Sequence, residues 1–248
     1  MARWEDITLT CPICQTTFAS QVVTQCDANG QDTDGRLHFV DIDPLPSFIH
    51  TCPECSFTAS RQAFRVHLLA EEIFRIRAFL ERQGKPQTPS DRYILISKLQ
   101  EQYRRDSPVR AANGWLTAAW CARIAKERRL ELDCIRRAVR WFDEELRLNL
   151  APKEERVYLT YLIGELHRRV GNFDLGVAYF DAVPGLANPS NKDDRFLVTL
   201  TILQKHYARD RSSWNTVVPS AFINRGLFLK HFRQRLERGT TRTEVSVV

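Results

Sequence analysis

Two short cysteine pairs constrain this chain more than any other feature: Cys11-Pro12-Ile13-Cys14 and Cys52-Pro53-Glu54-Cys55, with 37 residues between them. Each Cys-x-x-Cys forms a tight knuckle whose two sulfurs point to the same side. Two knuckles facing each other across a hairpin supply four thiolates at the tetrahedral geometry Zn²⁺ accepts. Proline at the second position presets φ for each turn. The spacing therefore predicts one structural Zn²⁺ held by Cys11, Cys14, Cys52 and Cys55. Thioredoxin-type redox chemistry normally uses a single pair at a helix N-terminus, whereas here two like pairs lie in turn-rich sequence. A catalytic zinc fits poorly, since four thiolates close the coordination sphere against an activated water.

Knuckles of this kind often carry glycine after the second cysteine, where the backbone turns left-handed. Gln15 and Ser56 stand there instead. The substitution costs on the order of 1 kcal/mol per residue, against roughly 10–16 kcal/mol of metal binding in small zinc modules. Cys26 and His50 lie near the pairs and read as bystanders. Cys121 and Cys134 fall in helical patterns and read as small core residues. The acids Asp32, Asp34, Asp41 and Asp43 suggest a solvated hairpin, with a second cation site as the alternative.

Charge divides the chain. Up to Ser60 there are two basic and eight acidic residues, leaving 34 basic and 22 acidic downstream, or −6 against +12. The first part is strand and turn: Phe18 to Val23 and Leu37 to Ile42 are strand-like, and Asp27-Ala28-Asn29-Gly30 and Asp34-Gly35 carry turn chemistry. From about Ser60 the period becomes helical. Leu69, Ile73, Ile76 and Leu80 form one stripe that ends at Gly84. A second helix is capped by Ser90, and a third by Ser107 before Pro108 and running to about Lys126. Others are expected near Leu130–Leu148, from Pro152 to Gly171, from Phe173 to a stop at Pro184-Gly185, and near Asp193–Arg209 and Ser220–Arg238. Residues 239–248 read as a frayed tail. The predicted class is mostly α: a small-β four-cysteine zinc ribbon over 1–60, then a helical domain over 61–238.

Within the helical part, Tyr161 to Phe180 looks like a tetratricopeptide repeat. Gly164 is the small residue at the helix contact, Gly171 ends the first helix and Phe173 opens the second. Gly176 and Val183 stand where the repeat usually has alanine. Trp115 to Leu146, with Ala119, Ala122 and Ala138, is a weaker helical hairpin. Taken with Cys11 to Phe18 and Asp41 to Phe64, these segments resemble the bacterial domain-of-unknown-function family 2225 over about residues 5 to 210. That resemblance implies a split Cys-Pro-x-Cys ribbon joined to tetratricopeptide-like helices. It implies no reaction.

Function follows less directly. The chain has no glycine-rich phosphate loop, nucleophile elbow or histidine–carboxylate metal motif, and its six histidines are scattered. A non-enzymatic interaction module is expected, whose stacked helical hairpins form a groove for a protein or peptide of acidic character. Arg123, Arg168 and Arg169 are the candidate partner-binding residues. Nucleic-acid binding is the alternative: a pI near 9 and runs such as Arg136-Arg137 favour it, and the acidic ribbon disfavours it. That ribbon could instead dock on its own basic helices. The start carries acids and no apolar segment, and no run approaches a membrane span, so a cytoplasmic location is expected.

Overall fold

Residues 2–103 and 108–218 are described by the structure, a computed structural model. The predicted helix at Ser220–Arg238, the tail and the Ser107 cap lie outside those residues. Three antiparallel strand pairs occupy the first sixty residues: β1 (Arg3–Thr10) with β2 (Thr17–Gln25), β3 (Ala28–Gln31) with β4 (Leu37–Phe39), and β5 (Ile49–Thr51) with β6 (Thr58–Ser60). Each cysteine knuckle is the loop of a hairpin, β1–β2 or β5–β6. The Asp27-Ala28-Asn29-Gly30 stretch, expected to turn, is largely strand β3. Its extension finds a partner on the outer edge, where Val218 N–H donates to the Gln31 carbonyl at 2.8 Å and Thr33 N–H to the Thr216 carbonyl at 2.9 Å. Pairing on both sides overrides the local turn preference. The turn itself falls at Asp34-Gly35, with Gly35 at φ 92°.

Seven α-helices follow among the described residues: α1 (Ala70–Leu80), α2 (Pro89–Tyr103), α3 (Pro108–Ile124), α4 (Arg128–Arg147), α5 (Lys153–Arg169), α6 (Phe173–Leu186) and α7 (Lys192–Arg209). α1 coincides with the Leu69–Leu80 stripe but starts ten residues after Ser60, where the helical period is expected to begin, and Leu69 itself is exposed. Phe64 packs its ring on Phe18 and Phe57, with centroids 5.6 and 5.2 Å away, and holds Arg61–Arg65 in a 3₁₀ turn against the ribbon. The cap of α2 is Thr88 and not Ser90. Its Oγ1 accepts from Asp91 N–H at 3.1 Å while the Asp91 carboxylate accepts from Thr88 N–H at 3.0 Å, a reciprocal capping box. α6 runs through Pro184 to Leu186, one turn beyond the expected stop.

α5 and α6 meet where Gly164 faces Gly176. A Cβ on Gly164 would sit 2.8 Å from the Phe180 ring, and one on Gly176 would sit 3.1 Å from the Gly164 carbonyl. The departure from alanine at 176 therefore has a steric cause: both helices need the space. Gly164→Ala is expected to destabilise the chain by about 1–3 kcal/mol through overpacking, read as a lower urea midpoint. An unchanged midpoint would show that Phe180 has room to move.

The core does not divide at residue 60. One apolar cluster joins Leu45 and Ile49 to α2–α7. The other joins β1, Cys11, Cys52, Phe57 and Phe64 to Ile76, Phe79 and Leu80 of α1 and to Leu95 and Leu99 of α2. So α1 and one side of α2 complete the ribbon, while part of the ribbon segment belongs to the helical core. The Tyr93 hydroxyl seals this crossing, donating to the Leu45 carbonyl at 2.7 Å.

Candidate metal centre and arginine latch

The two knuckles are copies of one another. Thr10-Cys11-Pro12-Ile13-Cys14-Gln15-Thr16-Thr17 and Thr51-Cys52-Pro53-Glu54-Cys55-Ser56-Phe57-Thr58 begin and end on threonines that touch across the strand pair, Oγ1 to Oγ1 at 3.1 and 3.0 Å. Inside each, the first cysteine's carbonyl accepts from the residue after the second cysteine, Gln15 at 2.9 Å and Ser56 at 3.0 Å. Those two residues are left-handed, at φ 63° and 62°, as the knuckle geometry requires. Because an L side chain is strained there, Ser56→Gly is expected to raise stability by about 1 kcal/mol in denaturant titration. A loss would mean the Ser56 side chain contributes more than its backbone strain removes.

All four sulfurs lie within 4.8 Å of one another. The contacts across the knuckles, Cys11 to Cys55 and Cys14 to Cys52, are both 3.5 Å. A tetrahedral ion with metal–sulfur bonds of about 2.3 Å places sulfurs roughly 3.8 Å apart, so the set needs only a small adjustment to close on one. Backbone N–H groups of Ile13 and Cys14 point at the Cys11 sulfur, and those of Glu54 and Cys55 at Cys52. Such donors stabilise thiolates. Contact with the Cys55 sulfur holds the Cys11 thiol near pKa 5, while Cys55, facing that charge from within the cluster, is pushed far up. Four packed sulfurs cannot all ionise without a cation among them. Arg77 donates to the Ile13 carbonyl and Lys85 to the Pro53 carbonyl, both at 2.9 Å, so α1 and the loop after it grip one knuckle each.

Among the described residues this is the one group of three or more ligand-type side chains gathered closely enough to hold a metal ion. Cys26 stays outside it. His50 is turned to Ser20 Oγ, 2.8 Å from Nδ1. Cys121 and Cys134 are buried thiols whose pKa burial raises to about 12.

The structure places Arg123, Arg168 and Arg169 inside the molecule, which corrects the reading of them as an open groove. Arg168 and Arg169 are fully buried and Arg123 nearly so. Arg123, at the end of α3, bonds Asp34, Asp32 at 2.6 Å and Glu131 at 2.7 Å. Arg169, at the end of α5, reaches the same Glu131 oxygen at 2.5 Å and lies 3.7 Å from Asp34. Arg168 grips Glu165 with two nitrogens, at 2.8 and 2.6 Å. Between the carboxylates, Thr33 donates to Glu165 at 2.7 Å and its carbonyl accepts from Tyr161 at 3.1 Å. Residues 212–215 cross over the cluster: Arg168 donates to the Ser212 and Trp214 carbonyls and Arg169 to the Asn215 side chain.

Asp32 and Asp34 are consequently neither solvated nor gathered around a second cation; they are fully buried counter-ions. Asp43 pairs with Arg36 at 3.0 Å and caps Leu45 N–H, and Asp41 is exposed. The charge asymmetry of the sequence is thus partly answered within the fold. Glu131, Glu165 and Thr33 belong to this latch and no sequence signal marked them, since their partners lie up to 183 residues away.

Over residues 5–205 the chain matches the family model described as "Uncharacterized protein conserved in bacteria (DUF2225)". The chain belongs to this family. No curated protein and no solved structure matches it. For this DUF2225 member, no described helix is long and apolar enough to cross a membrane.

Proposed function

We propose that the four thiolates hold one structural Zn²⁺ and that the chain is a non-enzymatic scaffold for docking another protein. The observation that carries the metal reading is the duplicated knuckle, which sets four sulfurs within 4.8 Å of one another. Soft thiolates in a tetrahedral set suit Zn²⁺, and with four of them no ligand position remains for substrate or water. Bound there, the ion would act by cross-linking the two hairpins. The docking reading rests on α4. Arg123, Arg168 and Arg169 are occupied internally, whereas five arginines of α4, Arg129, Arg136, Arg137, Arg140 and Arg147, are exposed. Arg137 lies 4.7 Å over the Trp115 ring and Arg140 5.7 Å over Trp141. Both indole N–H groups donate to the same Glu101 oxygen at 2.5 Å, which fixes these rings. Stacked guanidinium groups lose little freedom on meeting a carboxylate, and an acidic polypeptide fits such a face.

The same arginines favour nucleic acid as a second reading. Against it, Asp133 and Glu144 sit on that face and pair with Arg136 and Arg147. Fluorescence anisotropy of the intact chain with short DNA and RNA separates the readings. Expected is no tight binding at 150 mM salt and a shallow salt slope. Tight binding that falls by roughly 10³–10⁵ between 50 and 200 mM salt, the signature of six to ten phosphate contacts, would reverse the ranking. Deleting residues 1–60 is no cleaner test, because it strips Leu45 and Ile49 from the helical core and Asp32 and Asp34 from buried arginines.

A further inference from the structure

The chain between the knuckles leaves the cysteine cluster and returns to it, and its two paths are tied together at every stage. Ser20 Oγ meets His50 Nδ1 at 2.8 Å. Val23 N–H donates to Ser47 Oγ at 3.3 Å. Val40 N–H donates to the Asp27 carbonyl at 3.0 Å, and Asp32 N–H to the Arg36 carbonyl at 2.8 Å. These rungs run from the sulfur cluster to a tip at Asp32-Thr33-Asp34, eighteen residues from Cys14 on one side and from Cys52 on the other. The tip is where the carboxylates meet Arg123 and Arg169.

We propose that this ladder links the metal centre to the arginine latch, so that metal loss at the base opens the tip and frees Arg123 and Arg169, the partners of Asp32 and Asp34, as a surface for an acidic chain segment. The proposal rests on the zinc reading above. Its physical basis is loop closure. The ion fixes both ends of a 37-residue loop. On the chain-entropy scale, freeing the ends of such a loop disfavours contacts at its tip by roughly two to three orders of magnitude. The Tyr93 contact to Leu45 remains on the return path and keeps the loop partly tethered, so the lower figure applies. The chemistry of the occupant is given by the chain itself: two carboxylates on either side of a threonine whose carbonyl accepts from Tyr161. A peptide presenting Asp-x-Asp in the same turn, closed here by Gly35 N–H donating to the Asp32 carbonyl, offers the same groups. Linkage is reciprocal, so weakening the latch must also weaken metal binding.

The experiment uses the full chain, zinc-loaded and chelated. Zinc content is measured first, and one equivalent is expected. Hydrogen exchange is then followed at the Thr33 and Gly35 amides, which are bonded to Thr216 and Asp32, and at α5 interior amides such as Leu162. Chelation is expected to speed exchange at Thr33 and Gly35 about 100-fold and to leave Leu162 protected. A fluorescein-labelled peptide of residues 27–40 is expected to bind the chelated chain and not the loaded one. Thr33→Val conserves shape and leaves Glu165 held by Arg168. It is expected to weaken zinc affinity about tenfold in competition with a chromophoric chelator, with Lys192→Ala at the exposed start of α7 as the unaffected control. Absence of zinc sinks the metal reading and this inference with it. One equivalent of zinc with unchanged Thr33 exchange overturns the inference alone, as does loss of protection at Leu162 together with Thr33, which would make the chain a single unfolding unit.

Discussion

Cys52→Ser is expected to lower bound zinc from one equivalent per chain to a small fraction and to unfold the ribbon while most of the helical array persists. Zinc binding in small modules is worth roughly 10–16 kcal/mol, and the six strands of the ribbon are short pairs that are marginal without a cross-link. Cys52 is fully buried against Phe57 and the apolar side of α1, so the loss reaches Ile76, Phe79 and Leu80. It also frees the knuckles held by Arg77 and Lys85. α3–α7 keep a separate apolar cluster. Metal analysis with far-UV circular dichroism checks both halves: helical signal should fall by about the share of α1, with chelator reproducing the effect in the parent chain. Full zinc content in Cys52→Ser would sink the assignment. Collapse of the whole helical signal would show that α2, which contributes to both clusters, makes them one folding unit.

Arg123→Met is expected to destabilise the chain by about 3–5 kcal/mol, the usual consequence of removing one partner from a buried ion pair, against a typical total of about 5–15 kcal/mol. Three carboxylates, Asp32, Asp34 and Glu131, would lose a shared partner while remaining inside. Urea unfolding followed by tryptophan fluorescence measures it, and a change under 1 kcal/mol would mean that the latch opens without strain. The same network sets a pH dependence. Burial opposes ionisation of Asp34, but the charge and hydrogen bonds of Arg123, together with Arg169, outweigh it and hold the carboxyl well below the ordinary range. Glu131 is lowered for the same reason against the same burial. A carboxyl depressed in the folded state contributes stability that is complete above its unfolded pKa, near 4, and is lost as pH falls toward the folded value. The stability of the parent chain should therefore drop below about pH 4, and Arg123→Met should show a shallower acid slope.

Much of this architecture was legible locally. Cysteine spacing, proline-set turns and a change from period two to helical period are properties of a few neighbouring residues. They sufficed for the four-sulfur cluster, for the left-handed turns at Gln15 and Ser56, and for α3–α7 to within a few residues. The contact glycine at 164 was equally visible, and Gly176 opposite it acquired a reason once the helices were placed.

Whether Arg123 and Arg169 face a partner or a carboxylate of their own chain was not a local property. The spacing of Arg123 and Arg169 on the helices is compatible with either, and the deciding residues, Asp32 and Asp34, are 89 or more residues distant. The same holds for strand β3, which reads as a turn until the 216–218 segment pairs with its extension. It holds for the start of α1, delayed by the packing of Phe64 into the ribbon. The sequence by itself determined which groups could bind a metal and which segments could be helical, because covalent spacing and backbone propensity act over a few residues. Only the tertiary structure decided which charges were buried together. Desolvation and Coulomb attraction depend on distance in space, and chain order carries no record of that distance until the fold has closed.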